Sequence, residues 1–246
     1  MDSRIQKIGA AQRARRHFST IVYCVTILWI LVGLAQWVLL CVLKDLGAIF
    51  VELPWMCAIF FGASIIFIIF FIFFEQVRFI PGLNAIFTII IVECAIIGLF
   101  GLAVKSAWPD LLVWFFVCFL LMFLFIILGI VIPHDLTLDV VILFVIAFVF
   151  LILTVFLIML FMLTDTEYSY FLYQALISAV VLMFVMYHAQ TINGGRFAEM
   201  RVTDYFLATL ILFYDFLVLF LLTFYVQYKH QLVYKGLYST STTAEK

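Results

Sequence analysis

Seven long apolar runs, separated by short polar segments, constrain this chain more than any other feature. Each run has the length of about 20 residues that an α-helix needs to cross the hydrocarbon core of a bilayer. Strands of a membrane barrel would be shorter and would alternate polar with apolar residues. The runs therefore predict an all-α fold, a polytopic membrane bundle of seven transmembrane helices. Their expected bounds are 18–43, 55–74, 83–104, 111–132, 140–163, 168–187 and 205–228.

Composition places the chain in the bilayer and removes other classes. Hydrophobic residues make up 68% of its 246 residues and charged residues only 11%, whereas a soluble domain is about one quarter charged. We therefore expect a multi-pass integral membrane protein whose main partner is the lipid bilayer. The net charge of −1 gives no indication of nucleic-acid binding. All five cysteines fall inside apolar runs without CxxC spacing, which indicates neither a disulfide framework nor a zinc site.

The basic residues predict how the chain is oriented. We expect three parts: a basic cytosolic N-terminal segment (1–17), the seven-helix domain (18–228) and a polar C-terminal tail (229–246). With seven spans, eight of the 13 Lys and Arg residues share the side of the N-terminus, and basic residues favour the cytosol. The tail would then be lumenal or extracellular, although it is itself basic, and a re-entrant seventh segment would return it to the cytosol. The eight residues are Arg4, Lys7, Arg13, Arg15, Arg16, Arg78, Arg196 and Arg201.

Two acidic residues lie deep inside apolar runs. Glu93 occurs in "TIIIVECAIIGLF" and Asp215 in "LILFYDFLVLF". A charge at the bilayer centre costs from about 3 kcal/mol upward, so such residues usually face protein or water. The residues three and four positions away are apolar in both cases, so a partner must come from another helix, a water cavity or an ion. Both acids are candidate pore or pH-sensing residues, and Asp215 is also the candidate metal ligand.

The sixth run offers a partner for Asp215. Gln174, Ser178 and His188 have a spacing that places them near one face of a helix, as a polar stripe ending at His188. The sixth and seventh runs are joined by a short segment, so we expect antiparallel neighbours and a contact between His188 and Asp215. The depths disagree, because His188 is expected near the end of its helix and Asp215 halfway along its own. The simpler interpretation leaves His188 as an interfacial residue and Asp215 as a protonated acid bonded to a neighbouring helix.

The C-terminal part of the chain resembles a known family. The segments "MYHAQTINGG" and "VTDYFLATLILFYDFLVLFLLTF" are similar to the signature end of the Bax inhibitor-1 family, in its Lifeguard branch. The stretch "PHDLTLDVVIL" resembles the family's segment after the fourth helix through Asp135 and Thr137. The seven spans and the basic N-terminus agree with that family. The matching residues near the C-terminus are Gln190, Gly194, Tyr205, Ala208, Leu212, Tyr214 and Asp215.

The resemblance implies a function, and one residue departs from it. Family membership implies a pH-sensitive calcium or cation leak, negative regulation of apoptosis, and residence in the endoplasmic reticulum or Golgi. Calcium would be a permeant ion rather than a cofactor, and apoptosis-regulating membrane proteins would be partners. The family places an aspartate where this chain has His188, and a threonine where it has Ala189. Since the pair then lacks one hard oxygen ligand for calcium, a diverged, non-conducting interaction partner of the same family stays an open alternative.

Enzymatic sites of membrane proteins fit the sequence poorly. A GxGD-type aspartyl protease needs two membrane aspartates, and only Asp215 lies deep in a span. A rhomboid-like protease needs Gly-x-Ser, whereas "FGASII" places Ser64 one residue away from that form, with no histidine nearby. The HExxH motif of zinc proteases is absent. We therefore expect no enzyme and assign no catalytic residue.

Overall fold

A computed structural model describes residues 2–164 and 168–223 of the chain. Its helices have lengths and apolar content that would allow seven of them to cross a membrane, and no strand occurs among the described residues. The predicted all-α polytopic bundle is confirmed. The helices are α1 (Asp2–Val42), α2 (Lys44–Glu52), α3 (Pro54–Phe73), α4 (Glu75–Phe79), α5 (Leu83–Gly98), α6 (Phe100–Lys105), α7 (Trp108–Val131), α8 (Val140–Thr164), α9 (Tyr168–Asn193) and α10 (Tyr205–Thr223).

Helix bounds differ from the expected spans at several places. The basic N-terminal segment is helical and continues into the first span, so α1 is one helix of 41 residues. The polar segment after it folds into the short helix α2. The sixth span does not end at Tyr187 but continues to Asn193, which places His188 inside α9 rather than at its end. The 229–246 tail and the end of the seventh span after 223 lie outside the described residues.

The third span is two helices rather than one. It breaks between α5 and α6 at Leu99, where the next helix starts at once. The break occurs where two glycines lie against α3: Gly98 approaches Phe61, and Gly101 approaches the Sγ of Cys57. The indole of Trp37 on α1 donates a hydrogen bond to the carbonyl of Ile96 at 3.1 Å, just before the break. A backbone group at this depth is thereby satisfied by protein instead of lipid.

The last described helix, α10, forms the centre of the bundle. Buried residues make up 61% of α10, against at most 39% of any other span. Phe220 stacks on Trp37 of α1, and Phe216 packs edge-on against Phe115 of α7. The peripheral spans instead expose Leu, Ile, Val and Phe side chains, and most of the described side chains of α8 are exposed. An apolar surface of this extent suits lipid rather than water.

Four parts of the chain meet at the end of the bundle that carries the N-terminus. Arg15 of α1 forms an ion pair with Glu199 at 2.6 Å, and Arg78 near the end of α4 lies 3.9 Å from Asp204. Arg196 donates to the carbonyl of Pro133 after α7. The N-terminal part of α1, α4, and the segments 132–139 and 194–204 therefore gather at one end. This arrangement requires successive spans to run in opposite directions.

Candidate functional site

The polar pair predicted from the sequence forms between α9 and α10. The Nδ1 atom of His188 lies 2.6 Å from the Oδ2 atom of Asp215, which is a hydrogen-bonding distance. The two side chains are mostly buried, with 20% and 14% of their surfaces exposed. The rings of Phe184 and Tyr187 lie beside the imidazole, at centroid distances of 6.2 and 5.5 Å. Asp215 therefore faces another helix of the bundle.

The extension of α9 explains how the two residues reach each other. His188 lies five residues before the end of α9 at Asn193, and Asp215 lies ten residues after the start of α10 at Tyr205. At about 1.5 Å per residue, the pair is about 7 Å from one helix end and about 15 Å from the other. The intervening segment 194–204 is long enough to offset the two ends along the bundle. The segment 194–204 therefore compensates for the expected difference in depth between His188 and Asp215, and the two side chains meet.

The end of α9 is held in place by its own polar side chains. The hydroxyl of Thr191 donates to the carbonyl of His188 at 2.9 Å. The amide of Asn193 donates to the carbonyl of Ala189 and also to the hydroxyl of Tyr23 on α1. Gly194 and Gly195 then turn the chain with φ values of 73° and 75°, a conformation that favours glycine. The sequence "QTINGG" thus anchors the turn of α9 next to His188.

Glu93 has a different partner from Asp215. The side-chain amide of Gln36 on α1 donates to both carboxylate oxygens of Glu93 on α5, at 3.1 and 3.0 Å. Trp37, the next residue on α1, binds the carbonyl of Ile96 one turn further along α5. Two consecutive residues of α1 therefore hold the final turns of α5. Gln36 was not among the site residues predicted from the sequence, although a glutamine among the apolar residues of the first span was the available signal.

The other two residues of the predicted polar stripe lie away from the pair. Ser178 and Gln174 are ten and fourteen residues before His188 on α9, so at helical rise they lie about 15 and 21 Å from it along the axis. Both are partly buried. The structure thus brings together His188 and Asp215 alone of the five predicted site residues.

Two segments that carry the family resemblance lie against each other. Gln190 accepts the backbone N–H of Leu136 and donates to the carbonyl of His134, both at 2.8 Å. Its side chain is 2% exposed, and both bonds are at least partly buried. Asp135 accepts the N–H of Phe197 at 2.9 Å. Gln190, two residues beyond His188, therefore fastens the segment 132–139 to α9. Asp135 fastens the same segment to the segment 194–204.

Asp135 organises this attachment through its charge. It accepts hydrogen bonds from the hydroxyl and the N–H of Thr137, at 2.6 and 3.0 Å. The Thr137 hydroxyl in turn accepts the N–H of Ala198. The hydrogen bond from the Thr137 hydroxyl lowers the pKa of Asp135 below its ordinary value, and desolvation raises it by less than this bond lowers it. The N–H groups of Phe197 and Thr137 and the charge of Arg196 lower the pKa further. Asp135 is therefore an ionised anchor at neutral pH.

Tyr214, the residue before Asp215, is partly buried and was not predicted from the sequence as a site residue. The hydroxyl of Tyr214 is buried and has no hydrogen-bond partner within the described residues. It lies near Ser64 of α3 and near Cys94, the residue after Glu93 on α5. Adjacent residues of α10 thus point toward different neighbours, with Asp215 toward α9 and Tyr214 toward α3 and α5.

The arrangement can hold or release protons within the bundle. His188, Asp215 and Glu93 are titratable side chains placed in spans and paired with other helices. In the described part of the chain, no three His, Cys, Asp or Glu side chains are grouped so that they could hold a metal ion. Asp215 can offer a carboxylate oxygen to a passing cation, and His188 competes for that same carboxylate.

The fold and these pairs define a class: a multi-pass helical membrane protein with ionisable side chains paired between its spans. Comparison of the chain with family models, with curated proteins and with solved structures finds no match in any of the three.

Proposed function

We propose that this chain is a Bax inhibitor-1-like membrane protein that provides a pH-sensitive leak pathway for calcium or other cations and restrains apoptosis. The observation that carries the proposal is the contact of 2.6 Å between His188 and Asp215 on neighbouring spans. Ionisable residues inside the bilayer commonly mark ion pathways or proton relays. The proximity of the two segments that resemble the family, through Gln190 and Asp135, supports the same proposal.

The pair closes the pathway when both partners are charged. An imidazolium and a carboxylate attract each other, so the charged pair draws α9 and α10 together. When the imidazole is neutral the attraction weakens, although a neutral imidazole with its proton on Nδ1 can still donate to Asp215. When the carboxyl is neutral, the negative charge is absent. Closure is therefore strongest in the state in which both side chains are charged.

A second function rests on the same contact. The partner of Asp215 is a base that neutralises it, rather than a second acid that would add an oxygen ligand. A pair whose two charges sum to zero attracts a divalent cation less than two carboxylates do. This favours, as the alternative, a non-conducting member of the family that acts through contacts with other membrane proteins.

Calcium flux into proteoliposomes across a pH series tests the proposal. We expect the calcium leak of the native chain to change with pH. His188→Asp rebuilds a carboxylate pair, and two close carboxylates share a proton, so this variant should leak several-fold more calcium and should acquire pH control near neutrality. Ser178→Ala, on the same helix but about 15 Å away along the axis, is the matched control and should follow the native trace.

The possible results separate the two functions. Native and His188→Asp traces that superimpose at every pH would remove His188 from the mechanism. Traces without flux for both chains at every pH would favour the non-conducting alternative. The location in the endoplasmic reticulum or Golgi follows from the family resemblance, and fluorescence microscopy of the tagged chain with organelle markers tests it.

A further inference from the structure

A groove at the N-terminal end of the bundle combines a basic mouth with an apolar floor. It lies between α1 and the start of α10, has a volume of about 580 Å³ and is lined by Arg13, His17, Phe18, Ile21, Val202 and Tyr205. Small-molecule sites commonly have volumes of about 300–1,000 Å³. We call this feature the Arg13 groove. It is separate from the His188–Asp215 pair and plays no part in the function proposed above.

The chemistry of the groove changes in order along α1. Arg13, His17 and Ile21 are spaced by four residues, so they follow one another on the same face of the helix, about 6 Å apart along the axis. Arg13 and His17 belong to the part of α1 that precedes its apolar run, and Ile21 belongs to the run itself. The groove therefore passes from cationic to apolar where the chain enters the hydrocarbon, as a phospholipid passes from headgroup to acyl chain.

The basic side chains of this groove form no ion pair with the part of the chain that the structure describes. At the same end of the bundle, Arg15 pairs with Glu199, Arg78 lies near Asp204, and Arg196 donates to backbone carbonyls. By contrast, Arg13 and His17 are exposed, and neither forms an ion pair with a side chain that the structure describes. Among the described residues, no carboxylate lines the groove. Its charge is therefore available for an anion.

We infer that the Arg13 groove binds an anionic phospholipid, with the headgroup at Arg13 and His17 and an acyl chain along Phe18 and Ile21. Guanidinium and imidazole N–H groups can donate to phosphate and carboxylate oxygens. Basic residues next to a membrane span attract anionic lipids by about 1 kcal/mol each. A free anion would use the basic mouth alone, whereas the apolar floor and Val202 suit a ligand with a hydrocarbon chain.

Native mass spectrometry of the purified full chain, released from detergent with defined lipids, tests this inference. The probes are phosphatidylserine, phosphatidylcholine and inorganic phosphate. We expect the native chain to retain phosphatidylserine, and the variant Arg13→Gln/His17→Gln to retain at least 5-fold less. Retention of phosphatidylcholine should be equal in the two. Lys105→Gln, which removes an exposed basic residue at the opposite end, should behave as the native chain does.

A second variant separates specific binding from general charge. Adding Ala11→Arg to Arg13→Gln/His17→Gln restores one positive charge on the opposite face of α1, and Ala11 is exposed. We expect this triple variant to retain as little phosphatidylserine as the double variant. If the triple variant retained as much phosphatidylserine as the native chain, the inference would be overturned, because positive charge anywhere on α1 would then suffice to attract the lipid. Displacement of phosphatidylserine by inorganic phosphate alone, or equal retention by the native chain and the double variant, would also overturn the inference.

Discussion

Gln36 on α1 donates its side-chain amide to both carboxylate oxygens of Glu93 on α5, at 3.1 and 3.0 Å. The contact joins two residues that are 57 positions apart and satisfies a carboxylate in the third span. Gln36→Leu would leave the carboxylate of Glu93 without this donor. We expect the unfolding free energy in detergent to fall by about 1 kcal/mol, the usual net contribution of a hydrogen bond, because both side chains are partly buried.

The double variant Gln36→Leu/Glu93→Leu is the matched control for this pair. It removes both polar groups, so we expect it to be more stable than Gln36→Leu alone. Thermal unfolding followed by circular dichroism measures both variants. A single variant as stable as the native chain would show that the bond contributes nothing.

The pair of His188 and Asp215 should appear as an energetic coupling between α9 and α10. A double-mutant cycle with His188→Leu and Asp215→Leu should give between about 0.6 and 1.7 kcal/mol, the average and the upper end of such cycles for hydrogen bonds between membrane helices. Val218→Ala is the control, because Val218 lies on the same helix and is 37% exposed. A phenylalanine of α10 is a poor control, since Phe213, Phe216 and Phe220 are buried. Additive single effects would contradict direct coupling.

Gly98 should tolerate no side chain where α5 meets α3. A Cβ atom at this position would lie 2.6 Å from the Cβ of Phe61 and 2.9 Å from its Cα, so the backbone of α3 would have to move. We expect Gly98→Ala to destabilise the protein by about 1–3 kcal/mol through overpacking. Gly62→Ala, one residue beyond Phe61, meets no atom within 4 Å and should raise stability by about 0.5–1 kcal/mol. Equal melting temperatures for the two variants would refute this packing argument.

Asp135 should make the attachment of the segment 194–204 sensitive to acid. Its pKa is lowered in the folded chain, so its stabilising effect is complete above its ordinary pKa and is lost as pH falls through the lowered value. The protection factors of the Phe197 and Ala198 N–H groups, which compare each exchange rate with that of an unstructured peptide at the same pH, should therefore be high at neutral pH and lower in acid. In Asp135→Asn exchange should be faster already at neutral pH, whereas Asp110→Asn at the other end should leave it unchanged. Protection factors that stay the same from neutral to acid pH in the native chain would contradict the assigned role.

The orientation of the bundle can be tested by labelling. We expect the N-terminus in the cytosol, because eight of the 13 basic residues share its side. In a chain without its native cysteines, Phe197→Cys should react with a membrane-impermeant reagent added from the cytosol, since Phe197 is 77% exposed at the N-terminal end. Ala48→Cys and Ala107→Cys, both exposed at the other end, should react from the lumen. Cytosolic labelling of either position would reverse the orientation.

The sequence by itself determined the membrane class and the seven spans. Runs of about 20 apolar residues have few alternatives, because a bilayer leaves an unpaired backbone group no water to bind. It also pointed to the contact between His188 and Asp215, since a deep charge without partners on its own helix must find them on another. The two residues lie on helices joined by one short segment, and this local connection made the pairing predictable.

Only the tertiary structure decided the contacts between distant parts of the chain. Nothing in the third span identifies Gln36 as the partner of Glu93, because helix contacts across 57 residues depend on which apolar faces pack together. The close approach of Gly98 to Phe61, next to the break at Leu99, is likewise a contact between two spans that the sequence does not identify. The polar stripe on α9 follows helical geometry, yet Gln174 and Ser178 lie far along the axis from His188. Periodicity fixes the face on which a residue lies, whereas the packing of neighbouring helices fixes what that residue meets.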